Sequence, residues 1–419
     1  MNILVIGSGG REHALFRKLK ESPQTDKIYA IPGNPGMGEM TDISVEDNAE
    51  ILRFAKEKEI GLVVVGPEVP LMNGLVDELE SAGIRAFGPR ANAAEIEGSK
   101  SFAKDLMKKY GIPTARYEVF TEAEPARAYI RREGAPIVVK ADGLAAGKGV
   151  IVAMSEQEAL DAVNAIMEGN SFGDAGARVV IEEFMEGEEA SLLAFTDGKT
   201  IRPMISAQDH KRAFDGDQGP NTGGMGTYAP APVMTPEMIE RATEEILKPT
   251  IAAMAKEGRP YSGCLYLGLM ITVEGPKVVE FNARFGDPET QVVLPLLDGD
   301  LVQIMCACAD GTLADVPIHW KDGAAVCVVL AAGGYPAAYE KGNEIHGIAD
   351  AEKTGALVFH AGTAAKDGSL VTNGGRVLGV VGMGEDIASA VRSAYAAVEK
   401  ISFKDAYYRK DIAHRALHR

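Results

Sequence analysis

The chain has 419 residues, of which 46% are hydrophobic and 25% charged, so it is globular, and its length favours two to four domains. Its net charge is −17 at pH 7, without a basic run, which disfavours nucleic acid and anionic membranes as partners. No apolar run approaches the ~20 residues that a membrane span needs.

The first hundred residues alternate apolar runs with amphipathic segments. The runs NILVIG, KIYAI and LVVVGPE predict strands, while REHALFRKLKES and AEILRFAKEKE predict helices. This alternation predicts an α/β domain at residues 1–100 with a doubly wound parallel sheet. Ligands of such sheets bind at the carboxyl ends of the strands, where the turns GSGGREH, IPGNPG and VGPEVPL lie.

The first of these turns differs from a dinucleotide-binding fingerprint. Glu12 stands where the third glycine is expected, and the next strand ends in Pro-Gly-Asn without an acid for an NAD ribose. A hydride-transfer cofactor is therefore disfavoured. The free N–H groups of the helix start suit a phosphate, and the neighbouring Arg11 favours one, with an unliganded tight turn as the alternative.

A second unit begins near Ser99 with the predicted helix KSFAKDLMKKYG. Residues 115–195 predict a small α/β module in which IVVK, GVIVA and VVIEEF are strands. A polar glycine-rich loop, a long helix (TPEMIERATEEILKPTIAAMAKEG) and a hairpin turning at Glu274–Gly275 follow. We predict that this domain spans residues 101–320 and that a carboxy-terminal domain spans residues 321–419.

Residues 140–150 read KADGLAAGKGV, with a lysine at each end of a glycine-rich stretch. A P-loop requires G-x-x-x-x-G-K-[ST] between a strand and a helix, but Gly143 and Gly147 enclose only three residues and both flanks predict strands. The stretch therefore predicts a hairpin loop that closes over phosphates, with Lys140 on a strand and Lys148 on the loop. An ordinary hairpin with two solvated lysines is equally compatible with this stretch alone.

Two further motifs contain acidic residues at the ends of strands. In VVIEEFMEGEEAS, a strand breaking after Glu182 could offer its backbone to an adenine edge and a following carboxylate to ribose hydroxyls, although a charged, solvated turn is common. In VVEFNARFGDPETQ, Glu280 and Asn282 share one face of a strand and suit Mg²⁺, and Arg284 could hold an anion beside it. Phe281 and Phe285 on the opposite face weaken the alternative of a half-exposed strand.

The four cysteines stand in apolar surroundings and form no C-x-x-C motif. We expect them to be reduced core residues of a cytoplasmic protein, and a metal or disulfide role is the less favoured alternative. They are Cys264, Cys306, Cys308 and Cys327.

Together these motifs resemble the ATP-grasp superfamily. Within it, the chain is similar to the phosphoribosylamine–glycine ligases along its whole length, through GSGGREHA, VGPEVPL, GSKSFAKD, IVVKADGLAAGKGV, VIEEFMEGEEAS, QDHKR, GPNTGGMGTYAPAP, VEFNARFGDPETQ, AAGGYP, HAGT, TNGGRVL and YYRKDI. The pairing of GPNTGGMG with FGDPETQ separates this family from other ATP-grasp enzymes.

The resemblance implies a multidomain α/β enzyme with an amino-terminal doubly wound domain, a two-part ATP-grasp core and a small carboxy-terminal α/β domain. Its reaction would ligate glycine to 5-phosphoribosylamine, with ATP becoming ADP and phosphate through glycyl phosphate, in de novo purine biosynthesis. Mg²⁺ or Mn²⁺ would be the metal. We expect a cytoplasmic monomer, and direct transfer of phosphoribosylamine by the upstream amidotransferase is an open question. The alternatives are another ATP-grasp carboxylate–amine ligase or carboxylase, a dehydrogenase, or a nucleotide sensor.

The resemblance also implies roles for individual residues. Glu280 and Asn282 would ligate the metal, and Glu189 is favoured over Glu188 for the ribose because Glu189 and Ser191 form a Glu-x-Ser pattern. The residues around ATP would be Lys104, Lys140, Gly143, Gly147, Lys148, Gly149, Glu182, Glu183, Phe184, Met185, Glu188 and Glu189. The catalytic residues would be Lys140, Asp209, Lys211, Arg284 and Asp287. The other substrates would be bound by Gly9, Gly10, Arg11, Gly66, Pro67, Glu68, Asn221, Thr222, Gly223, Gly224, Met225, Gly226, Pro288 and Glu289.

Overall fold

The structure, a computed structural model, describes residues 1–144, 149–169 and 173–419. Within these residues the buried apolar side chains form four clusters, which lie beneath the sheets that carry the candidate site. No helix in the described ranges is long and apolar enough to cross a membrane.

A parallel sheet forms the amino-terminal part of the chain, as predicted. Its central strand is fully buried from Ile3 to Ile6, which is typical of a strand covered on both faces. The strands are β1 (Asn2–Gly7), β2 (Lys27–Pro32), β3 (Ile60–Val65) and β4 (Ala86–Phe87), in the spatial order β2-β1-β3-β4. The helices are α1 (Gly10–Lys20), α2 (Asn48–Glu57), α3 (Glu68–Met72), α4 (Leu75–Ser81) and α5 (Ala91–Gly98).

The next unit is a small antiparallel sheet with the order β5-β8-β6-β7. Its β6 pairs antiparallel with β7, which confirms the predicted hairpin around the glycine-rich loop. The first helix starts where the Ser99 hydroxyl accepts from Phe102 N and ends at the left-handed Gly111. The elements are α6 (Lys100–Tyr110), β5 (Tyr117–Phe120), α7 (Ala123–Glu133), β6 (Ile137–Ala141), β7 (Val150–Ala153), α8 (Glu156–Val163) and β8 (Val179–Glu183).

A second antiparallel sheet, with the order β10-β9-β15-β16, lies beside it. The predicted hairpin is present, but its turn is Val273–Glu274, because Gly275 already pairs with Thr272. The elements up to this point are β9 (Glu188–Thr196), β10 (Ile201–Pro203), β11 (Gln208–Asp209), β12 (Arg212–Phe214), β13 (Gln218–Asn221), β14 (Gly226–Ala229), α9 (Pro236–Ala242), α10 (Lys248–Lys256), β15 (Gly263–Thr272) and β16 (Gly275–Asn282).

The predicted long helix is interrupted by one turn of π-helix. This turn, Thr243–Leu247, joins α9 to α10. Pro249 in the first turn of α10 provides the physical reason, since proline donates no N–H and its ring crowds the carbonyl four residues earlier.

The last sheet contains the two strands that flank the predicted polar loop at residues 209–226. Both β11 and β14 join it in the order β11-β14-β19-β23-β20, so this loop is anchored on the carboxy-terminal part of the chain. The remaining elements are α11 (Thr290–Val293), β17 (Leu297–Asp298), α12 (Leu301–Asp310), β18 (His319–Trp320), β19 (Ala324–Ala331), α13 (Ile348–Glu352), β20 (Leu357–His360), β21 (Thr363–Lys366), β22 (Ser369–Thr372), β23 (Arg376–Gly384), α14 (Ile387–Val398) and α15 (His414–Leu417).

Candidate active site

Two buried lysines share one carboxylate where α6, β6 and β8 meet. Lys104 Nζ lies 3.1 Å from one oxygen of Glu182, and Lys140 Nζ lies 2.9 Å from the other. Lys104 also donates to Thr114 Oγ1 at 2.7 Å, and Lys140 to the carbonyl of Val279 at 3.2 Å. Burial lowers the pKa of Lys104 to about 8 although Glu182 raises it. The cluster therefore carries one excess positive charge in a desolvated position, which suits a polyanion.

The glycine-rich loop starts beside a lysine that was not predicted as a site residue. Lys100 donates to the carbonyl of Gly143 at 2.9 Å, and the Asp142 carboxylate accepts from Ser101 N and Oγ at 2.6 and 2.9 Å. The start of the loop is thus tied to the first turn of α6.

The far end of the loop closes the hairpin, with Ala141 N donating to the carbonyl of Gly149 at 2.8 Å. Gly147 and Lys148 lie outside the described residues, so their predicted contact with ATP stays a prediction.

The predicted adenine hinge connects β8 to β9. Glu182 is buried against the lysines, whereas Glu183 pairs with Arg116 at 2.6 Å toward solvent. Phe184 and Met185 are half-buried between the two strands. The side chains of the hinge therefore point to different surroundings, and its backbone is the part that could meet a ligand edge.

The two candidates for the ribose both have partners. Glu188 pairs with Arg419 and Glu189 with Lys211, each at 2.9 Å. Glu189 is the one that lies beside another predicted catalytic residue.

The predicted metal ligands lie on one face of β16, and Phe281 is buried on the other. Phe285 was predicted to fill the same face as Phe281, but it lies beyond the end of the strand and is buried in a different apolar cluster. The Glu280 carboxylate has no hydrogen-bond or ion-pair partner among the described residues. Gly268 leaves room for it, since a Cβ there would lie 3.0 Å from Glu280 Cγ. The Asn282 amide is satisfied when its nitrogen donates to Phe281 O at 3.2 Å and to a buried carboxylate, described below. Its oxygen then points away from that carboxylate, on the strand face that Asn282 shares with Glu280.

These two oxygen donors fit a cation that keeps few protein ligands. In the part of the chain that the structure describes, no group of three or more His, Cys, Asp or Glu side chains could hold a metal ion. A site of one carboxylate and one amide oxygen, completed by phosphates and water, suits Mg²⁺ and does not suit a closed zinc site.

Arg284 lies between two carboxylates from the amino-terminal part of the chain. Its guanidinium is 2.9 Å from Glu97 and 3.3 Å from Glu68. The two carboxylates offset the charge of Arg284 and fix its guanidinium, so its predicted role of holding an anion is already taken by these side chains. Glu97 is a functional candidate that sequence reasoning missed, because it stands within a short helix outside every motif.

An acidic cluster contains Glu289 and Asp209, and Glu289 contacts side chains of β9 and β15. Glu289 Oε1 accepts from Ser191 Oγ at 3.0 Å and from Tyr266 OH at 2.9 Å, and the residue is only 3% exposed. Burial and the nearby Glu289 raise the pKa of Asp209 to about 7, while Lys211 opposes this rise. The cluster therefore offers negative charge to a small cationic group.

Arg376 joins two predicted substrate segments. Its guanidinium donates to the carbonyls of Gly223 at 2.7 Å, Gly224 at 3.3 Å and Asp287 at 3.1 Å. Gly224 has a φ of +112°, and a Cβ there would lie 2.6 Å from Pro288 Cδ, so the two segments touch. The motif TNGGRVL contains Arg376, but nothing in its local pattern predicts this contact.

The rest of the loop at residues 221–226 is held by hydrogen bonds of its own. Thr222 Oγ1 donates to the carbonyl of Lys211 at 2.8 Å, and Met225 N donates to the carbonyl of His210 at 2.7 Å. Asn221 pairs with Arg212 across the small β12–β13 ladder. The loop from Asn221 to Gly226 therefore runs alongside the segment from Asp209 to Arg212, which contains Lys211.

The amino-terminal turn is filled by its own carboxylate. Glu12 accepts from Gly9 N at 2.8 Å and from the Arg11 guanidinium at 2.5 Å. A Cβ on Gly66 would lie 2.2 Å from Glu12 Oε1, so that glycine makes room for the carboxylate. The Arg11 side chain is buried and is committed to Glu12 and to the carbonyl of Phe285. Gly9 N and the Arg11 guanidinium, two of the predicted phosphate donors, thus already have internal partners.

The second predicted turn lies next to this carboxylate. Gly10 opens α1, Gly66 follows β3, and Pro67 precedes α3, whose first residue is Glu68. The structure therefore brings the two predicted amino-terminal segments together and connects them through Glu68 to Arg284.

Comparison with protein families accounts for nearly the whole chain. Three models of phosphoribosylglycinamide synthetase match it: the N domain at residues 1–97, the ATP-grasp (A) domain at residues 98–290 and the C domain at residues 325–415. The chain belongs to the phosphoribosylglycinamide synthetase family. It is therefore an enzyme of the ligase class with a three-domain α/β fold built on an ATP-grasp core.

Individual relatives agree with this family. The phosphoribosylamine–glycine ligase of Brucella melitensis is 55% identical over 423 residues, and that of Agrobacterium fabrum is 54% identical over 422; each alignment covers 100% of this chain and 99% of the relative. The crystal structure of the Thermotoga maritima phosphoribosylamine–glycine ligase has a TM-score of 0.86 at 38% identity and covers 99% of this chain and 100% of that one.

More distant structures share the fold alone. The biotin carboxylase domain of Hydrogenobacter thermophilus 2-oxoglutarate carboxylase, in complex with MgADP, ADP and bicarbonate, has a TM-score of 0.72 at 17% identity and covers 97% of this chain and 91% of its own. This likeness shows that the chain shares its fold with that biotin carboxylase domain.

Proposed function

We propose that this enzyme ligates glycine to 5-phosphoribosylamine, with ATP becoming ADP and phosphate, to give glycinamide ribonucleotide in de novo purine biosynthesis. The observation that carries the proposal is the contact between Lys140 and β16, the strand that carries Glu280 and Asn282 and is called the metal strand below. Lys140 Nζ donates to the carbonyl of Val279, the residue before Glu280. A buried cation thus lies against the strand next to Glu280, whose carboxylate has no partner among the described residues, and we infer that triphosphate and metal meet there.

We infer that the nucleotide lies along this contact. Lys104 and Lys140 are fixed by Glu182, so they stabilise phosphate charge without reorganising first. The remaining predicted contacts are the loop around Gly143, Gly147, Lys148 and Gly149, the hinge at Glu182, Glu183, Phe184 and Met185, and a ribose carboxylate at Glu188 or Glu189.

Glu280 and Asn282 would hold Mg²⁺, and Mn²⁺ suits the same oxygen donors. The metal would supply neutralisation of phosphate charge. Lys140 stabilises the same charge from the protein side, which explains why a lysine is buried next to this strand.

The chemistry needs an activated carboxylate, because a carboxylate oxygen is a poor leaving group. Transfer of phosphate to glycine gives glycyl phosphate, and attack by the ribosylamine nitrogen then releases phosphate. The acidic cluster of Asp209 and Glu289 suits the ammonium group of glycine, and Lys211, Arg284 and Asp287 would complete the surroundings of the reacting groups. Positioning and charge stabilisation are thus the enzyme's task.

The ribose phosphate of the second substrate would lie near Gly9, Gly10, Arg11, Gly66, Pro67 and Glu68. Because the Arg11 guanidinium is committed to Glu12, we propose that the backbone of this turn contributes the contacts and that Arg11 holds Glu12 in place. The loop from Asn221 to Gly226, with Met225 fully buried, would close the site from the carboxy-terminal side.

At the level of the whole protein, we propose a monomer with functional units at residues 1–100, 101–320 and 321–419. Its cysteines are free thiols, which supports a cytoplasmic location. Transient contact with the upstream amidotransferase would shorten the time that the unstable amine spends in water.

The test is ADP release with phosphoribosylamine generated in place. The expected result is release that requires both glycine and the amine and that is not supported by alanine or serine. Release driven by bicarbonate in the absence of glycine would contradict the proposal and favour an ATP-grasp carboxylase.

A further inference from the structure

One buried carboxylate holds three consecutive residues at the end of the metal strand. Glu97 Oε2 accepts from Ala283 N at 2.7 Å, and Glu97 Oε1 lies 2.9 Å from the Arg284 guanidinium. In the orientation that satisfies the Asn282 amide, its nitrogen lies 3.2 Å from the same Oε1. Glu97 is on α5, in the amino-terminal part of the chain, and is 8% exposed.

The contact between Glu97 and Asn282 determines whether the nitrogen or the oxygen of the Asn282 amide faces the proposed metal site. An amide has one acceptor oxygen and one donor nitrogen, and only the oxygen can ligate a cation. Glu97 and the carbonyl of Phe281 are both acceptors, so they attract the nitrogen and direct the oxygen away from Glu97. A donor at position 97 would have the opposite preference.

We propose that Glu97 is a positioning residue for the metal site, which turns the oxygen of Asn282 toward the cation. This inference rests on the proposed function, since it takes Glu280 and Asn282 as the metal ligands. Partners that orient a metal ligand typically change metal affinity by 10–100-fold when they are removed, and Glu97 is such a partner.

Glu68 provides a matched control. It also pairs with Arg284, at 3.3 Å, but it has no contact with Asn282 or Ala283. E68Q therefore removes a carboxylate partner of Arg284 and leaves the contacts of the Asn282 amide unchanged. E97Q removes a carboxylate partner of both Arg284 and Asn282.

The experiment is a titration of the enzyme with Mn²⁺ at saturating ADP, in which free Mn²⁺ is followed by electron paramagnetic resonance. E97Q should weaken Mn²⁺ binding about 10-fold or more, and E68Q should leave it within about 2-fold of wild type. The double variant E97Q/N282D should recover most of the affinity, because the amide introduced by E97Q can donate to a carboxylate that presents oxygen in either orientation. Unchanged affinity in E97Q, or equal loss in E97Q and E68Q, would overturn the proposal.

Two further variants keep the test decisive. If circular dichroism shows that E97Q does not fold, N282D and the double variant are compared instead; tighter Mn²⁺ binding by the double variant supports the proposal, and equal binding contradicts it.

E280Q separates this inference from the metal assignment itself. If E280Q binds Mn²⁺ like wild type, the strand does not hold the metal, whereas loss in E280Q but not in E97Q refutes only the role of Glu97.

Discussion

At the scale of single residues, the site is built from charges whose partners are already in place. Lys104 and Lys140 both pair with Glu182. Arg284 pairs with both Glu68 and Glu97. Glu280 alone of this set has no partner among the described residues. Removing a charge from water is costly unless the charge is paired. Glu280 is half-buried and has no partner among the described residues, so it marks the position that a ligand would complete.

Replacing Lys140 by methionine tests the cationic side of the site. K140M keeps the length of the side chain but leaves Glu182 with Lys104 alone and removes the charge that faces the phosphates. We expect the rate of glycine-dependent ADP release to fall at least ~100-fold, as for loss of one electrostatic stabiliser. K109M, at an exposed lysine paired with Glu257 on the surface, is the control and should change the rate little. A folded K140M enzyme with a near-normal rate would contradict the assignment.

The buried His13 predicts how stability depends on pH. Burial, with smaller contributions from His360 and Arg17, lowers the pKa of His13 to about 3 from an ordinary value of 6.5. Since the unfolded chain binds this proton more readily, stability is complete above pH 6.5 and falls as the pH drops toward 3. This one group should cost about 2 kcal/mol of folding free energy at pH 5 relative to pH 7.

The measurement is the thermal midpoint at pH 7 and pH 5. H13N can still accept the hydrogen bond from His360 N but cannot be protonated, so its midpoint should fall less than that of wild type. H319N, at an exposed histidine, should behave like wild type. Equal falls in wild type and H13N would show that His13 is not responsible.

At the scale of elements, local patterns predicted the strands and hairpins, and long-range pairing decided the rest. The alternation that buries Phe281 between Glu280 and Asn282 predicted both β16 and the common face of these two residues, whereas Phe285 lies beyond the end of the strand. Glu97 and Arg376 could not be predicted in this way, because their partners lie 186 and 153 residues away and sequence spacing describes only local neighbours. The polar glycine-rich loop was also more ordered than predicted, since β12 and β13 pair within it and β11 and β14 fix its two ends on the last sheet.

Arg376 tests whether two elements must be held together for substrate binding. It connects the loop at residues 223–224 to Asp287, so R376M should separate two segments predicted to surround glycine. Loss of a charged hydrogen bond costs roughly 1.5–3 kcal/mol, which corresponds to a rise in the KM for glycine of about 10-fold or more. The KM for ATP should stay close to wild type, because the lysine cluster does not contact Arg376. A parallel rise in both KM values would indicate general disruption.

At the scale of the whole molecule, contacts between distant parts of the chain assemble one site. The amino-terminal part supplies Glu68 and Glu97, the central part the lysines and the metal strand, and the carboxy-terminal part Arg376. The family and the overall domain order could be anticipated from motifs in the sequence. The ion pair between Arg11 and Glu12 could not be anticipated, because packing determines whether an arginine faces a ligand or a neighbouring carboxylate.

The central claim is that the site activates a carboxylate by direct phosphate transfer. The measurement that tests it most directly uses glycine labelled with heavy oxygen in both carboxylate positions, during turnover in which ADP release and amide formation are tightly coupled. The account predicts that one labelled oxygen enters inorganic phosphate for each amide formed, because that oxygen leaves with the phosphate. Unlabelled phosphate would contradict the glycyl phosphate route, even if the product were glycinamide ribonucleotide.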